Sequence, residues 1–276
     1  IPVRADGTLD EATLEDALAR PVDLLSLMWV NNEVGLVLPV ADVAERARAA
    51  GVLVHTDMVQ AVGKVPIDLS RTAVALASVT GHKIYGPKSA GALFVRRGTV
   101  LDPCLFGGGQ ERALRPGTQD VAGAVGLATA VELAVAEQQA EATRLGALRA
   151  HLLGRLRERI PDLIEHGDAR VCAPHVLNVG IPGVDAMSLV LALDLEGVAV
   201  SAGSACASGG HRGSHVLEAL YPGRTGTVAA VRFSLGRLVD THAVDRAAEV
   251  TATVVERLRE GAPAPRNAAP TGRGTP

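Results

Sequence analysis

Three short apolar runs, each followed at once by polar residues and glycine, most constrain the fold of this chain. The runs span residues 27–30, 51–54 and 72–77, and a helical pattern over residues 40–50 lies between the first two. Short β-branched runs of this kind are typical of buried parallel strands. Because strands that alternate with helices indicate a parallel sheet with crossover connections, we expect an α/β fold.

The ends of these predicted strands carry Asn31, Asp57 and Lys83. Open α/β sheets bind ligands outside the carboxyl ends of their strands. A lysine that is buried beside apolar strands loses its proton more readily, and a neutral amine attacks carbonyl groups. A lysine Schiff base together with an aspartate partner for a pyridinium nitrogen is the pattern of a pyridoxal phosphate enzyme. From the residues alone, Lys83 could also be a solvated turn residue, and Asp57 could cap a helix.

The composition excludes several classes of protein. The 276 residues are 47% hydrophobic but only 2% aromatic, so a core of Ala, Val and Leu in one or two domains is expected. A formal net charge of −3 gives no electrostatic argument for nucleic acid or membrane binding. We expect no apolar run long enough to span a bilayer, and no signal peptide. The three scattered cysteines form neither a disulfide framework nor a zinc pattern, which favours a reducing, cytoplasmic compartment.

The remaining pattern predicts two domains and a tail. Residues 1–135 form a large domain, residues 136–260 a smaller one, and residues 261–276 a Pro/Gly-rich disordered segment. Residues 121–160 are helical throughout, as one long helix or two. The other predicted helices span residues 9–19, 186–195, 215–220 and 242–260, and the other predicted strands span residues 24–30, 52–56, 92–95, 176–181, 198–201 and 229–234.

Seven motifs, in family order, resemble those of the cysteine desulfurases, within the class V aminotransferase group of pyridoxal phosphate enzymes. They are NNEVG at 31–35, HTDMVQ at 55–60, GHKIYGPK at 81–88, GGGQER at 107–112, RPGT at 115–118, SAGSAC at 201–206 and VRFSLGR at 231–237. The resemblance implies the type I pyridoxal phosphate fold, with a mainly parallel large domain and a smaller α+β C-terminal domain. In the family, a phosphate loop and a histidine that stacks on the cofactor precede these motifs. We therefore expect the large domain to be N-terminally incomplete and this chain alone to bind the cofactor weakly.

The resemblance also implies a role for each matching residue in holding the cofactor. Lys83 would hold pyridoxal phosphate covalently and then move protons at the substrate α-carbon. Asp57 would keep the pyridine nitrogen protonated, and Gln60 would bond the phenolic oxygen. Thr80 and His82 would contact the phosphate, and His82 would also be a catalytic residue. Thr118 would reach the phosphate of a neighbouring subunit, which implies a homodimer.

Two further residues match family positions that hold the carboxylate of the substrate. They are Asn31, which would also contact the cofactor, and Arg232, whose planar fork suits a carboxylate because it makes two parallel bonds. On pattern alone, Arg232 could instead be a solvated strand residue. Its place between Val231 and Phe233 allows that interpretation.

Cys206 lies in a glycine-rich loop and resembles the nucleophile of the family branch with a mobile cysteine loop. His211 and Arg212 could stabilise its thiolate. The implied reaction takes sulfur from L-cysteine, leaves alanine, and passes a Cys206 persulfide to an acceptor such as an iron–sulfur scaffold or a tRNA thiolation enzyme. We expect no resident metal, although Cys206 could transiently ligate an iron–sulfur cluster. Cys104 and Cys172 have no assigned role.

Two alternatives to cysteine desulfuration stay open. The first is another class V enzyme, such as a selenocysteine lyase or an aminotransferase, although a plain aminotransferase needs no thiol. The second is a non-catalytic homologue that dimerises or docks partner proteins. The coding sequence upstream of residue 1 would discriminate best between a fragment of an ordinary enzyme and such a homologue.

Overall fold

The computed structural model describes residues 1–4, 6, 8–168, 170–202, 214–223 and 228–261. These residues form two four-stranded sheets with helices packed on them. The two sheets have different strand directions, and the functional residues predicted from the sequence are divided between them.

The first sheet contains β1 (Leu24–Met28), β2 (Leu53–Asp57), β3 (Leu76–Thr80) and β4 (Gly91–Val95), in that spatial order. Strands β1, β2 and β3 are parallel, as predicted, while β4 is antiparallel to β3. The direction of β4 follows from its connection, since the short segment over residues 81–90 cannot form the crossover that a parallel pair requires.

Two amphipathic helices cover this sheet: α1 (Glu11–Leu18), which precedes β1, and α2 (Val40–Ala49), which connects β1 to β2. Asp10 begins α1, because its Oδ1 accepts a hydrogen bond of 2.8 Å from the Thr13 amide. Gly51 follows α2 with a φ of +77°, the left-handed conformation that commonly ends a helix. Both helices bury their apolar faces in the core of the first sheet.

Helix α3 (Val121–Arg159) is one continuous helix of 39 residues that connects the two sheets. Its first half packs against the first sheet through small residues. A Cβ built on Gly126 would lie 2.5 Å from Cγ of Pro87, and one built on Gly63 would lie 2.6 Å from Cβ of Ala134. Its second half contributes Leu145, Leu152 and Leu156 to the core of the second sheet.

By length and composition alone, α3 is also long and apolar enough to cross a membrane, so the expectation that no run would reach that length is wrong. The difference arises because alanines and valines raise the mean hydropathy of α3 without a continuous run of large apolar side chains. A core helix passes the same test, and α3 packs on both sheets.

The second sheet contains β5 (Ile164–His166), β6 (Val176–Pro182), β7 (Ser201–Ala202) and β8 (Val228–Ser234). Its spatial order is β5-β6-β8-β7, and all neighbours are antiparallel. Its helices are α4 (Ala186–Leu195), α5 (His215–Leu220) and α6 (Thr241–Glu260).

The strand predicted over residues 198–201 begins later, at Ser201, because the Val198 amide bonds the Leu193 carbonyl at 2.8 Å and so closes the end of α4. β5 was not predicted. The predicted domain boundary at residues 135–136 falls inside α3.

A polar turn over residues 31–37 joins the two sheets. The Ala173 amide bonds the Gly35 carbonyl at 2.7 Å, and the Asn178 side chain donates to the Glu33 carbonyl at 3.0 Å. Gly35 has a φ of +80°, and a Cβ there would lie 3.0 Å from Cβ of Val176. This turn therefore holds the end of β1 against the start of β6.

Candidate active site

The carboxyl ends of β1, β2 and β3 meet at one edge of the first sheet. Met28 pairs with Asp57, and Asp57 pairs with Ser78 in the next strand. The Trp29 amide extends this alignment with a 2.9 Å bond to the Asp57 carbonyl. The edge therefore brings Asp57 beside the strand end that leads through Thr80 to Lys83.

The carboxylate of Asp57 is half-buried, and its two oxygens differ. Oδ1 accepts a 2.8 Å hydrogen bond from the Val59 amide, which is the local capping contact considered in the sequence analysis. Oδ2 has no hydrogen-bond partner among the residues that the structure describes. Asp57 therefore stabilises its own turn and still presents one free oxygen.

Lys83 lies in a single 3-10 turn, Gly81–Lys83, directly after β3. Gly81 and Ile84 are buried, whereas His82 and Lys83 lie on the exposed side of the turn. The expected burial of Lys83 is therefore wrong for the described chain, and its amine has no described partner. Thr80 Oγ1 lies 2.9 Å from Nδ1 of His82. A hydroxyl and an imidazole therefore lie together in the turn that carries the Lys83 amine.

Tyr85 holds the Lys83 turn against the second sheet. Its backbone is left-handed, with a φ of +65°, and its hydroxyl accepts a 2.7 Å hydrogen bond from the Arg237 amide. The side-chain cations of Lys64 and Arg237 lie 5.4 and 5.5 Å from the centre of its ring. The sequence pattern indicated no role for Tyr85, since its partner lies far along the chain.

Arg232 reaches from β8 into the turn that follows β1. Its Nη1 donates to the Asn32 carbonyl at 2.7 Å, and its Nη2 lies 3.4 Å from Ser201 Oγ. Its Nε is buried without a partner in the described structure. The alternative of a solvated strand residue is therefore wrong.

Asn31 begins the same turn, because its Oδ1 accepts bonds of 2.9 and 3.0 Å from the Glu33 and Val34 amides. The structure thus brings the Asn31 turn and Arg232 together across the two sheets. The amide nitrogen of Asn31 has no partner among the described residues.

Gln60 contacts a histidine that the sequence analysis missed. Oε1 of Gln60 lies 3.1 Å from Nε2 of His175, which is only 5% exposed. Burial, reinforced by the nearby charges of Lys64 and Arg232, lowers the pKa of His175 to about 3. A histidine at the start of a strand carries no local signal for this contact.

His55 connects all three parallel strands. Its Nδ1 lies 2.8 Å from Ser26 Oγ in β1, and its Nε2 lies 2.9 Å from Ser78 Oγ in β3. The HTDMVQ motif included His55, but no role was assigned to it. This chain of polar contacts aligns the strand that ends in Asp57 with both of its neighbours.

Other predicted site residues are not brought to this edge by the described structure. Thr118 is exposed in the segment before α3 and makes no hydrogen bond to the described residues. Cys206, His211 and Arg212 lie outside the described residues. Burial raises the pKa of the Cys172 thiol to about 11, which disfavours the reactive thiolate, whereas Cys104 is exposed.

The chemistry of this edge suits an anionic ligand with a carbonyl group and a protonated ring nitrogen. A free lysine amine can react with the carbonyl, and the free oxygen of Asp57 can accept from the ring nitrogen. The orphaned Nε of Arg232 needs an acceptor, and an anion would supply one. The residues present therefore fit pyridoxal phosphate together with an amino-acid carboxylate.

Comparison with known proteins identifies the family. A family model described as aminotransferase class-V matches residues 1–247. A cysteine desulfurase of Sinorhizobium fredii is 40% identical over 263 residues, which cover 95% of this chain and 68% of the relative. One from Gluconacetobacter diazotrophicus is 41% identical, and the aligned part covers 66% of it. A solved structure described as a NifS-like protein superposes with a TM-score of 0.85 at 33% identity, covering 94% of this chain and 68% of that one.

The chain spans about two-thirds of the length of these relatives. The match with the family model covers most of the chain. The chain belongs to the class V aminotransferase family, and within that family to the cysteine desulfurases.

Proposed function

We propose that this chain carries the cofactor and substrate site of a pyridoxal phosphate-dependent cysteine desulfurase acting on L-cysteine. The observation that carries the proposal is Arg232. It crosses from the second sheet to bond Asn32 while its own Nε stays buried and unpartnered. A buried guanidinium donor without an acceptor is costly, and an α-amino acid brings a carboxylate that relieves this cost.

Five residues would hold the cofactor at the edge of the first sheet. Asp57 would accept from the ring nitrogen, Gln60 would bond the phenolic oxygen, Thr80 and His82 would contact the phosphate, and Lys83 would bind the carbonyl carbon. When bound, pyridoxal phosphate supplies an electron-withdrawing ring that weakens the bonds at the substrate α-carbon. Thr118 would serve the phosphate of the other subunit in a homodimer, since it is exposed and unpartnered in the described chain.

The substrate would be held by its carboxylate and would exchange a proton with Lys83. Arg232 and the amide nitrogen of Asn31 would bind the carboxylate from two sides of the turn that joins the sheets. The free amine of Lys83 would take the proton from the α-carbon and later return one. These assignments use three groups that have no partner among the described residues: Nε of Arg232, the amide nitrogen of Asn31 and the amine of Lys83.

Cys206 would carry out the sulfur transfer. Its thiolate attacks the sulfur of the bound cysteine, so that a new S–S bond forms while the Cβ–S bond breaks. The electron pair of the broken bond stays on the substrate carbon, which takes up a proton and leaves as alanine. In total, one cysteine and the Cys206 thiol become one alanine and a Cys206 persulfide. We propose that this sulfur passes to an iron–sulfur scaffold or a tRNA thiolation enzyme in the cytoplasm.

The test of this proposal is the Cys206→Ala variant of the full-length protein loaded with cofactor. It should bind L-cysteine but release no alanine, and its loop peptide should carry no persulfide by mass measurement. Cys104→Ala should keep both products, because that exposed thiol has no assigned role. Undiminished alanine release from Cys206→Ala would overturn the desulfurase assignment and favour another class V activity.

A second test addresses the covalent residue. Borohydride reduction of the cofactor-loaded protein, followed by peptide mapping, should place the cofactor on Lys83. Lys88 is the matched control, because it is an exposed lysine in the same loop. Label on Lys88 or Lys64 would contradict the assignment of Lys83.

A further inference from the structure

The contact between Gln60 and His175 connects the two sheets at the proposed cofactor site. Gln60 lies three residues beyond Asp57, while His175 precedes β6 and is 5% exposed. The 3.1 Å distance joins Oε1 of Gln60 to Nε2 of His175. Nδ1 of His175 is buried without a partner, and the amide nitrogen of Gln60 has none in the described part of the chain.

Two arrangements of protons are compatible with this distance. In the first, Nε2 of His175 carries the proton and donates to the Gln60 carbonyl oxygen. In the second, the Gln60 amide is reversed and donates to a bare Nε2, which places the histidine proton on Nδ1. The second arrangement buries an N–H without an acceptor, and such orphaned donors are rare in folded proteins.

The surrounding charges keep the ring of His175 neutral, as both arrangements require. The side chains of Lys64 and Arg232 are the charged groups that act on His175, and both are positive. Together with burial they hold the pKa of His175 far below its usual value, so the ring stays neutral.

We infer that His175 is a positioning residue whose Nε2–H donor fixes the Gln60 side chain so that its amide nitrogen, not its oxygen, faces the cofactor. Gln60 then acts as a donor toward an electron-rich oxygen such as the phenolic oxygen of pyridoxal phosphate. The inference rests on the proposed function, because it concerns the same site. It makes His175, which precedes a strand of the second sheet, responsible for the orientation of a side chain that contacts the cofactor.

The backbone around His175 supports this role. The His175 carbonyl accepts a 2.8 Å hydrogen bond from the Leu235 amide, which follows β8. The ring is thus attached to the start of β6 and to the end of the strand that carries Arg232. A carboxylate ligand that binds Arg232 therefore contacts β8, the strand whose following residue, Leu235, bonds the His175 carbonyl.

The first test measures the proton directly and needs no cofactor. Long-range hydrogen–nitrogen NMR spectra of the chain labelled with nitrogen-15 histidine report which ring nitrogen carries the proton. We expect His175 to stay neutral with the proton on Nε2 from pH 8 down to pH 5. A proton on Nδ1, or protonation of the ring within that range, would overturn the inference.

The second test measures the pH midpoint of the visible absorbance change of the cofactor-loaded protein. Loss of a donor to the ionised oxygen destabilises that form, so His175→Phe should raise the midpoint by about one pH unit. His175→Gln is the conservative variant, because its amide places an N–H near the position of Nε2. It should restore most of the original midpoint.

The Gln60→Ala background separates positioning from a general structural effect. If His175 acts through Gln60, His175→Phe should cause no further shift of the midpoint in a chain that already carries Gln60→Ala. An equal shift in both backgrounds, or no shift in either, would contradict the inference. Neither readout depends on alanine release, so failure of the desulfurase assignment would be seen separately in the Cys206 experiment.

Discussion

At the scale of single residues, the carboxylate of Asp57 allows its charge to be tested apart from its shape. Oδ1 accepts the Val59 amide at 2.8 Å, and Oδ2 has no described partner. Asp57→Asn keeps an acceptor for the Val59 amide but removes the charge that a protonated ring nitrogen needs. We expect the affinity for pyridoxal phosphate to fall by about 10- to 100-fold, as for the loss of a charge-assisted bond. A fluorescence titration of the full-length apoprotein with the cofactor measures this change.

Asp68 provides the matched control for this substitution. Its Oδ1 accepts the Ser70 amide at 2.9 Å in the same kind of turn, but it lies outside the proposed site. Asp68→Asn should leave the affinity for the cofactor unchanged. Equal losses in both variants would show that the turn geometry, rather than the charge of Asp57, holds the cofactor.

The sequence located the polar residues at the strand ends but not the side chains that hold them. Asn31, Asp57 and Lys83 follow from the ends of the predicted apolar strands, whereas Thr80 was indicated by the family motif. His175 and Tyr85 follow from neither, since each contacts a residue on the other sheet. The exposure of Lys83 was missed for a related reason. An apolar neighbourhood along the chain does not determine which side of a short turn a side chain occupies.

At the scale of helices and strands, hydrophobic periodicity predicted nearly every element, and the differences have local causes. β5 was missed because its three residues, Ile164–His166, are too few to show an alternating pattern. The sequence did not show whether α3 continues through Gly146 and Gly154. A glycine inside a helix lowers its stability only modestly, so packing of the helix decides whether it continues. A Cβ on Gly154 would meet nothing within 4 Å, and one on Gly146 would lie 3.9 Å from Cβ of Pro174.

Two glycines of α3 should respond to alanine in opposite directions. A Cβ on Gly126 would lie 2.5 Å from Cγ of Pro87, whose ring cannot rotate away. Gly126→Ala should therefore lower the free energy of unfolding by about 1–3 kcal/mol, as overpacking does. It should also weaken cofactor binding, because Pro87 belongs to the loop that carries Lys83. Urea denaturation and the same fluorescence titration test both effects.

Gly154→Ala is the control in the same helix. Without a steric contact it should raise the free energy of unfolding by about 0.5–1 kcal/mol through the better helix propensity of alanine. If both substitutions destabilised the protein equally, the close packing of Gly126 against Pro87 would not be the cause.

At the scale of the whole molecule, the proposed site lies where the two sheets meet, at the turn over residues 31–37. Arg232, His175 and Asn178 come from the second sheet or its approach, and each bonds a residue of the first sheet or its connecting turns. Family resemblance indicated that Asn31 and Arg232 share a ligand, but the contacts that join the sheets needed the structure. They link residues more than 100 positions apart, and no local pattern encodes their partners.

This meeting of the sheets also predicts how stability depends on pH. His166 is 7% exposed and His175 is 5% exposed, and burial is the main cause that lowers the pKa of each. The unfolded chain binds protons on both histidines below its ordinary histidine pKa, about 6.5, whereas the folded chain binds them only at lower pH. The free energy of unfolding therefore decreases as pH falls below about 6.5. The slope should be about 1.4 kcal/mol per pH unit for each histidine that stays neutral in the folded protein.

The window from pH 6.5 to pH 5 isolates the histidines, because the aspartates with a lowered pKa, such as Asp168 at about 2, titrate in more acidic solution. Urea denaturation at pH 7, 6 and 5 should show the loss, and His166→Gln and His175→Gln should each make its slope smaller. His242→Gln is the control, since His242 is exposed in the first turn of α6. His175 contacts Gln60 across the two sheets. The part of the pH slope that disappears in His175→Gln therefore reports how well the folded protein buries this contact. An unchanged slope in His175→Gln would mean that the ring is protonated or solvated in the folded protein, and the contact between the sheets would then be looser than described.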